Sequence, residues 1–201
     1  MAWNTEETRR RLKEAAVREF AATGLSGTRI ESIAARAGIN KERIYNYFGS
    51  KEKLFSLVLA DELARIAAAV PLEMITSAGI GEFAGACFDY HVQHPELVRL
   101  LHWEALEFTE RRVPDEDVRR EHYQQKVAAL AAAQRSGTLA AEPAAADAVF
   151  MILALCAWWV AVPQVARMIA GTPHPGAPEM AARRAAVALA AERMVVAPSP
   201  R

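Results

Sequence analysis

Cysteine is almost missing from this chain: Cys87 and Cys156 are the only two in 201 residues. Both fall in apolar helical stretches, which reads as core packing and excludes a disulfide framework. Glycine and proline number ten each and stay mostly outside the apolar stretches, and no segment alternates apolar with polar residues as a half-buried strand would. An all-α fold is what remains. No Ser/His/Asp or Cys/His arrangement, glycine-rich phosphate loop or paired-carboxylate motif is present, so no residue is assigned a catalytic role and an enzyme is not expected. His91, His94, Glu96 and His102 mix helix and loop positions without a ligand spacing such as HExxH, so neither a metal nor another cofactor is expected. The long charge-free run, residues 148–163, is shorter than the roughly 20 apolar residues of a spanning helix. Pro163, Gln164 and Arg167 interrupt it and no export signal opens the chain, so a cytoplasmic protein is expected.

Net charge is absent too, since 24 Lys and Arg offset 24 Asp and Glu, but the neutral total hides a division. Residues 1–53 carry 11 Lys and Arg against 7 Asp and Glu, and the remainder carries 13 against 17. A basic head attracts DNA through counterion release, and an acidic remainder discourages attachment elsewhere. Within that head, Leu12, Ala16 and Phe20 with Val17 stripe a helix over residues 5–23 that Gly24 is expected to stop. Thr28 and Glu31 have the spacing of a capping box. Ile30, Ile33, Ala34 and Ala37 then give a short helix one apolar face. Gly38 has the freedom to close that helix in the left-handed conformation, and Asn40 is a preferred cap for the next. The connecting turn is the length of a helix-turn-helix.

The second helix of that pair, residues 41–48, buries Ile44 and Phe48 and leaves Lys41, Glu42, Tyr45 and Asn46 on or beside its outward side. Lys41 suits guanine O6 or N7 and Asn46 suits adenine, while Tyr45 and Tyr47 suit phosphate or a thymine methyl. Ser50 caps the following helix. Lys51 in its first turn opposes the helix dipole, a conflict that a DNA phosphate bound by that helix start and Lys51 together would resolve.

The run Gly38, Ile39, Asn40, Lys41, Glu42, Arg43, Ile44, Tyr45, Asn46, Tyr47, Phe48, Gly49, Ser50, Lys51, Glu52, Lys53, Leu54 resembles the tetracycline-repressor (TetR) family motif G-[VI]-S-K-G-x-[IL]-Y-x-[HY]-F-x-[SD]-K-[ED]-x-L. Glu42 departs from it where the family often has Gly, and its carboxylate suits either cytosine N4 or a neighbouring Arg. The resemblance implies an N-terminal helix-turn-helix DNA-binding domain, residues 1–50, and a C-terminal ligand-binding and dimerisation domain, residues 51–201, joined by a long helix over residues 50–70. It implies a transcription regulator, expected to be a repressor, that binds a palindromic operator as a homodimer and is released by a small hydrophobic effector. The residues expected against DNA are Thr28, Arg29, Asn40, Lys41, Glu42, Arg43, Tyr45, Asn46, Tyr47 and Lys51. An inducer-independent architectural DNA-binding protein would share this motif but carry a filled C-terminal core. A helical scaffold without DNA binding would lack the phosphate-facing set.

Beyond residue 70, helices are expected over residues 80–93, 96–110, 115–135, 144–170 and 178–196, punctuated by Pro95, Pro114, Gly137, Pro143 and the 171–178 loop, with 197–201 as a frayed tail. The helix containing 148–163 is apolar on all sides, which is the pattern of one buried on all sides, and Pro163 is expected to kink or break it near Trp159. The resemblance implies that the last two helices pair with their copies in a four-helix bundle. Phe83, Cys87, Tyr90 and His91 share one helical face. Glu104 and Phe108 share another with Leu97, Leu100 and Leu101. Aromatics so spaced are more often core than pocket, but an acid in an apolar stripe needs a partner, an Arg, His102 or a bound cation. Met151, Trp158 and Trp159 suit the walls of a hydrophobic ligand site. A cavity near Phe83, Tyr90, Glu104, Phe108 and Trp158 would then favour cationic amphiphiles over fatty acids.

Overall fold

The computed structural model describes residues 5–76, 79–109, 112–113, 115–172 and 175–195. Among these there are ten α-helices, one short 3-10 turn and no strand. The expected tail at 197–201, Pro114 and the helix ends at 110 and 196 lie outside the described residues. By packing, the described residues up to Arg65 and those from Glu96 to Glu116 form one compact unit, and Ile66–Pro95 with the residues from Asp117 onward form a second.

In the first unit, α1 (Thr5–Gly27), α2 (Ile30–Ala37), α3 (Glu42–Phe48), the first part of α4 (Lys51–Ala69) and α6 (Pro95–Glu107) share one core. Leu12, Ala16, Phe20, Ile33, Ile44, Leu54 and Phe55 are fully enclosed. The ring of Phe20 stands edge-on to that of Phe55 with centroids 5.2 Å apart, and Phe108 stacks on Phe55 at 6.4 Å. Burying these apolar faces supplies most of what holds such short helices, since a helix of seven or eight residues is not stable alone. The helix does not stop at Gly24. It breaks there, with φ 73° and ψ −179°, and resumes to Gly27.

In the second unit, α5 (Ile80–Gln93) packs against α8 (Ala145–Ala161) and α10 (Ala177–Val195), which also pack on each other. Ile80, Phe83, Ala84, Cys87 and Phe88 of α5 meet Ile152 and Cys156 of α8, Val187 and Ala191 of α10, and Leu130 of α7 (Glu116–Arg135) in one cluster. Gly85 lets α10 come close: a Cβ there would lie 2.8 Å from the Arg184 guanidinium carbon. That guanidinium bonds Asp89 at 2.7 Å and Glu82 at 2.9 Å, tying α10 to α5. The 144–170 stretch is two helices. α8 ends at Ala161, Val162 is non-helical, and Pro163 opens α9 (Pro163–Ala170) at 83° to α8. The break falls beyond Trp159 because proline is tolerated as the first residue of a helix, where its missing N–H would be unpaired anyway. Among the described residues no single helix is long and apolar enough to cross a membrane.

Candidate nucleic-acid interface and effector cavity

Local chemistry sets the turn between α2 and α3. Gly38 takes φ 64° and ψ 37° and closes α2 through its N–H, and Asn40 Oδ1 accepts from the Glu42 N–H at 3.0 Å at the start of α3. Arg11 of α1 donates to the Ala37 carbonyl at 2.6 Å, supplying a cation at the end of α2. The capping box does not form. Arg29 precedes α2 without a side-chain cap. Thr28 is buried and its hydroxyl is taken up by the Gly24 carbonyl at 2.6 Å and by Thr23 at 2.8 Å. The break at Gly24 brings those acceptors to Thr28, and Glu31 turns instead to Lys41 at 2.9 Å.

α3 presents a divided surface. Ile44 and Phe48 are buried, while Lys41, Glu42, Tyr45 and Asn46 are exposed and Arg43 and Tyr47 half-buried. The Lys41 ion pair holds the Glu31 carboxyl below its usual range and raises the Lys41 ammonium, both by hydrogen bonding. Arg9 sets its guanidinium 5.8 Å from the Tyr47 ring centre and 5.6 Å from that of Phe48, fixing the flank of α3. Arg29 is exposed at the start of α2. Ser50 Oγ accepts from the Lys53 N–H at 3.1 Å, capping α4. Lys51 is half-buried and donates to the Thr28 carbonyl at 3.0 Å, so its ammonium is anchored beside the start of α2.

Within the same unit, α6 clasps the broken end of α1. Arg99 Nε and Trp103 Nε1 both donate to the Ala21 carbonyl, at 2.6 and 3.3 Å, and Glu107 accepts from the N–H of Ser26 at 2.7 Å and from its hydroxyl. Sequence reasoning missed this clasp and Arg9 and Arg11, because each acts through a backbone carbonyl or a ring brought close only by the fold.

The expected ligand residues are divided between the two units. Glu104 is buried and Phe108 half-buried in the first. Phe83, Cys87, Tyr90 and His91 are buried along α5 in the second, where Trp159 stacks under Arg183 at 4.8 Å and Met151 and Trp158 are exposed on α8. Hydrogen bonding to Cys87 and burial push the Cys156 thiol up, so it is held as a thiol. Burial pulls the His91 pKa down to about 4, leaving it neutral with an Nδ1 that finds no hydrogen-bond partner among the described residues. In the second unit, Ile75, Ile80, Phe83, Leu130, Val149 and Ile152 line a cavity of about 10 Å³ together with Lys126. Lys126 stands four residues before Leu130, the other buried residue of α7. Among the described residues no three His, Cys, Asp or Glu side chains converge as a metal set.

Comparison with known proteins agrees with this geometry. Residues 12–58 match the family described as bacterial regulatory proteins, tetR family, and residues 79–193 match the tetracyclin repressor-like C-terminal domain. The HTH-type transcriptional repressor SCO4008 of Streptomyces coelicolor is 41% identical over 175 residues, covering 87% of this chain and 90% of that protein. The HTH-type transcriptional repressor NicS of Pseudomonas putida is 38% identical over 109 residues, 52% of this chain and 51% of that one. Among solved structures, the putative transcriptional regulator SCO4942 from Streptomyces coelicolor superposes with a TM-score of 0.81 at 32% identity, covering 95% of this chain and 99% of that one.

Proposed function

This chain belongs to the TetR family of DNA-binding transcription regulators, and we propose that it represses its target as a homodimer on an inverted-repeat operator and is released by a small apolar ligand held in the C-terminal domain. The observation that carries the DNA reading is α3 itself, whose Lys41, Glu42, Tyr45 and Asn46 are exposed while Ile44 and Phe48 anchor it from behind. A recognition helix enters the major groove with its N-terminal residues nearest the base edges. Lys41, Asn46 and Glu42 read bases in this account, and Arg29, Tyr45, Tyr47 and Lys51 hold phosphates. Thr28, whose carbonyl accepts from Lys51, and Asn40, which caps α3, hold the pair of helices in place, and Arg43 is a further contact to DNA in this account.

The dimer reading rests on α8 and α10. Phe150, Met151, Ala154 and Trp158 make an apolar stripe on the outside of α8, and Ala182, Ala185, Ala186 and Leu189 make one on α10. Exposed apolar area of this kind is what a partner surface covers, and a twofold pairing of these helices presents two equivalent heads. Two recognition helices then read half-sites about 34 Å apart. A ligand changes that spacing only by binding one state better than the other. Sedimentation velocity at micromolar protein tests the assembly: a dimer is expected, and a monomer at that concentration overturns it.

A further inference from the structure

Glu31 carries an ion pair from which the fold gains little. Its carboxylate accepts from Lys41 Nζ at 2.9 Å, bridging the first turn of α2 and the residue that opens α3. The Glu31 side chain is 63% exposed and that of Lys41 53%, and an ion pair so open to water adds little to stability. What it fixes is where the two charges stand. Lys41 lies at the end of α3 that comes nearest the base edges when a recognition helix enters the major groove, and the pair holds a carboxylate beside it there. Both partners keep hydrogen-bonding capacity. Lys41 gives Glu31 one N–H, and an ammonium has three donors while a carboxylate has about four acceptor sites.

That remaining capacity matches the edge of one base pair. In the major groove a G·C pair presents guanine N7 and O6 as acceptors and then cytosine N4 as a donor. O6 and N4 are joined by a base-pairing hydrogen bond and so lie about 2.9 Å apart, which is the spacing of Lys41 Nζ and Glu31 Oε1. Set edge to edge, the ammonium meets N7 and O6 with its two spare donors and the carboxylate meets the N4 amino group. An A·T pair fits the couple less well, since thymine gives the lysine O4 alone and adenine N7, an acceptor, then faces the carboxylate. We infer that Glu31 is a specificity-determining residue: the Lys41–Glu31 couple reads one G·C pair of each half-site as a unit, Lys41 taking the guanine and Glu31 the N4 amino group of its cytosine. The inference rests on the reading of Lys41 as a base contact and adds to it a residue of α2 outside the set expected against DNA.

The test uses the full-length protein and duplexes selected from a random pool. Comparing the sites enriched by the wild type and by Lys41→Met identifies the pair that Lys41 reads, which is expected to be G·C. A second duplex then carries N4-methylcytosine at that one position. Its methyl group lies in the major groove, so pairing with guanine is kept and the donor facing the protein is lost. The wild type is expected to bind the methylated duplex at least about fivefold more weakly than the unmodified one. Glu31→Leu should bind both alike, and Glu31→Gln, whose amide oxygen still accepts, should keep part of the difference. A wild type indifferent to the methyl group, or a difference undiminished in Glu31→Leu, overturns the inference and leaves Lys41 as a base contact. A Lys41→Met preference altered at an A·T pair does the same. An unaltered preference in Lys41→Met, or a wild type that enriches no site, removes the reading on which the inference rests as well.

Discussion

Gly24→Ala is the substitution whose cost the structure fixes most closely. At φ 73° and ψ −179° the backbone lies in a region essentially reserved for glycine, and a residue with a Cβ held there costs about 1–3 kcal/mol. The added Cβ would also sit 2.7 and 2.8 Å from two ring carbons of Trp103 and 2.9 Å from Glu107 Oε1. Trp103 is fixed by its hydrogen bond to Ala21 and Glu107 by its bonds to Ser26, so the ring cannot yield freely, and overpacking adds about 1–3 kcal/mol. The sum is about 4 kcal/mol, a large share of the 5–15 kcal/mol or so that a domain has in total. Urea denaturation followed by circular dichroism reads it directly. In a Trp103→Ala background the same substitution should cost less, about 2–3 kcal/mol, because the backbone part and the contact with Glu107 remain. A Gly24→Ala protein within about 0.5 kcal/mol of the wild type refutes the argument, and an equal cost in both backgrounds refutes the part assigned to Trp103. DNA affinity should fall with stability, because the break at Gly24 places Thr28, whose carbonyl anchors Lys51.

Lys51→Ala should weaken binding to every DNA sequence alike and lower the salt slope by about one phosphate contact per subunit. It should also lose about 1 kcal/mol of stability with the bond to Thr28, and an unchanged slope in a folded protein removes it from the phosphate contacts. Lys41→Ala should alter base preference in a binding selection while leaving the melting temperature unchanged, since its ion pair with Glu31 is exposed; an unaltered preference assigns Lys41 to the backbone. His91 is neutral in both states above its unfolded pKa of 6.5, and as pH falls below that only the unfolded chain gains the proton, because the folded value is about 4. Stability should therefore drop by about 2 kcal/mol from pH 7 to pH 5, and a denaturation series in His91→Leu that keeps the same slope assigns the loss elsewhere. Trp158→Glu should raise the dimer dissociation constant at least about tenfold with the protomer's helix content intact, and an unchanged sedimentation profile places the interface off α8.

Sequence patterning located most helices because their inward stripes are regular and their ends carry strong stop residues. α5 matches its expected span at both ends, where Gly79 precedes it and Pro95 follows. What patterning could not supply were competitions settled by packing. Thr28 and Glu31 have capping-box spacing, but the bend at Gly24 offers the Thr28 hydroxyl carbonyl acceptors nearer than the α2 backbone. Glu104 stands in an apolar stripe and is legible in the sequence as a charge that needs a partner, whereas Lys126 lies among the many polar residues of α7 and its burial beside Leu130 follows from the packing. Their burial is similar, and the difference lies in what surrounds each, which only the assembled helices decide.

Selection of bound duplexes from a random DNA pool, followed by measurement of protomers per enriched site, tests the central claim most directly. The account predicts an inverted repeat whose half-site centres lie about one helical turn apart or a multiple of it, occupied by an even number of protomers. No enriched sequence, or an enriched site without twofold symmetry bound by a single protomer, contradicts it.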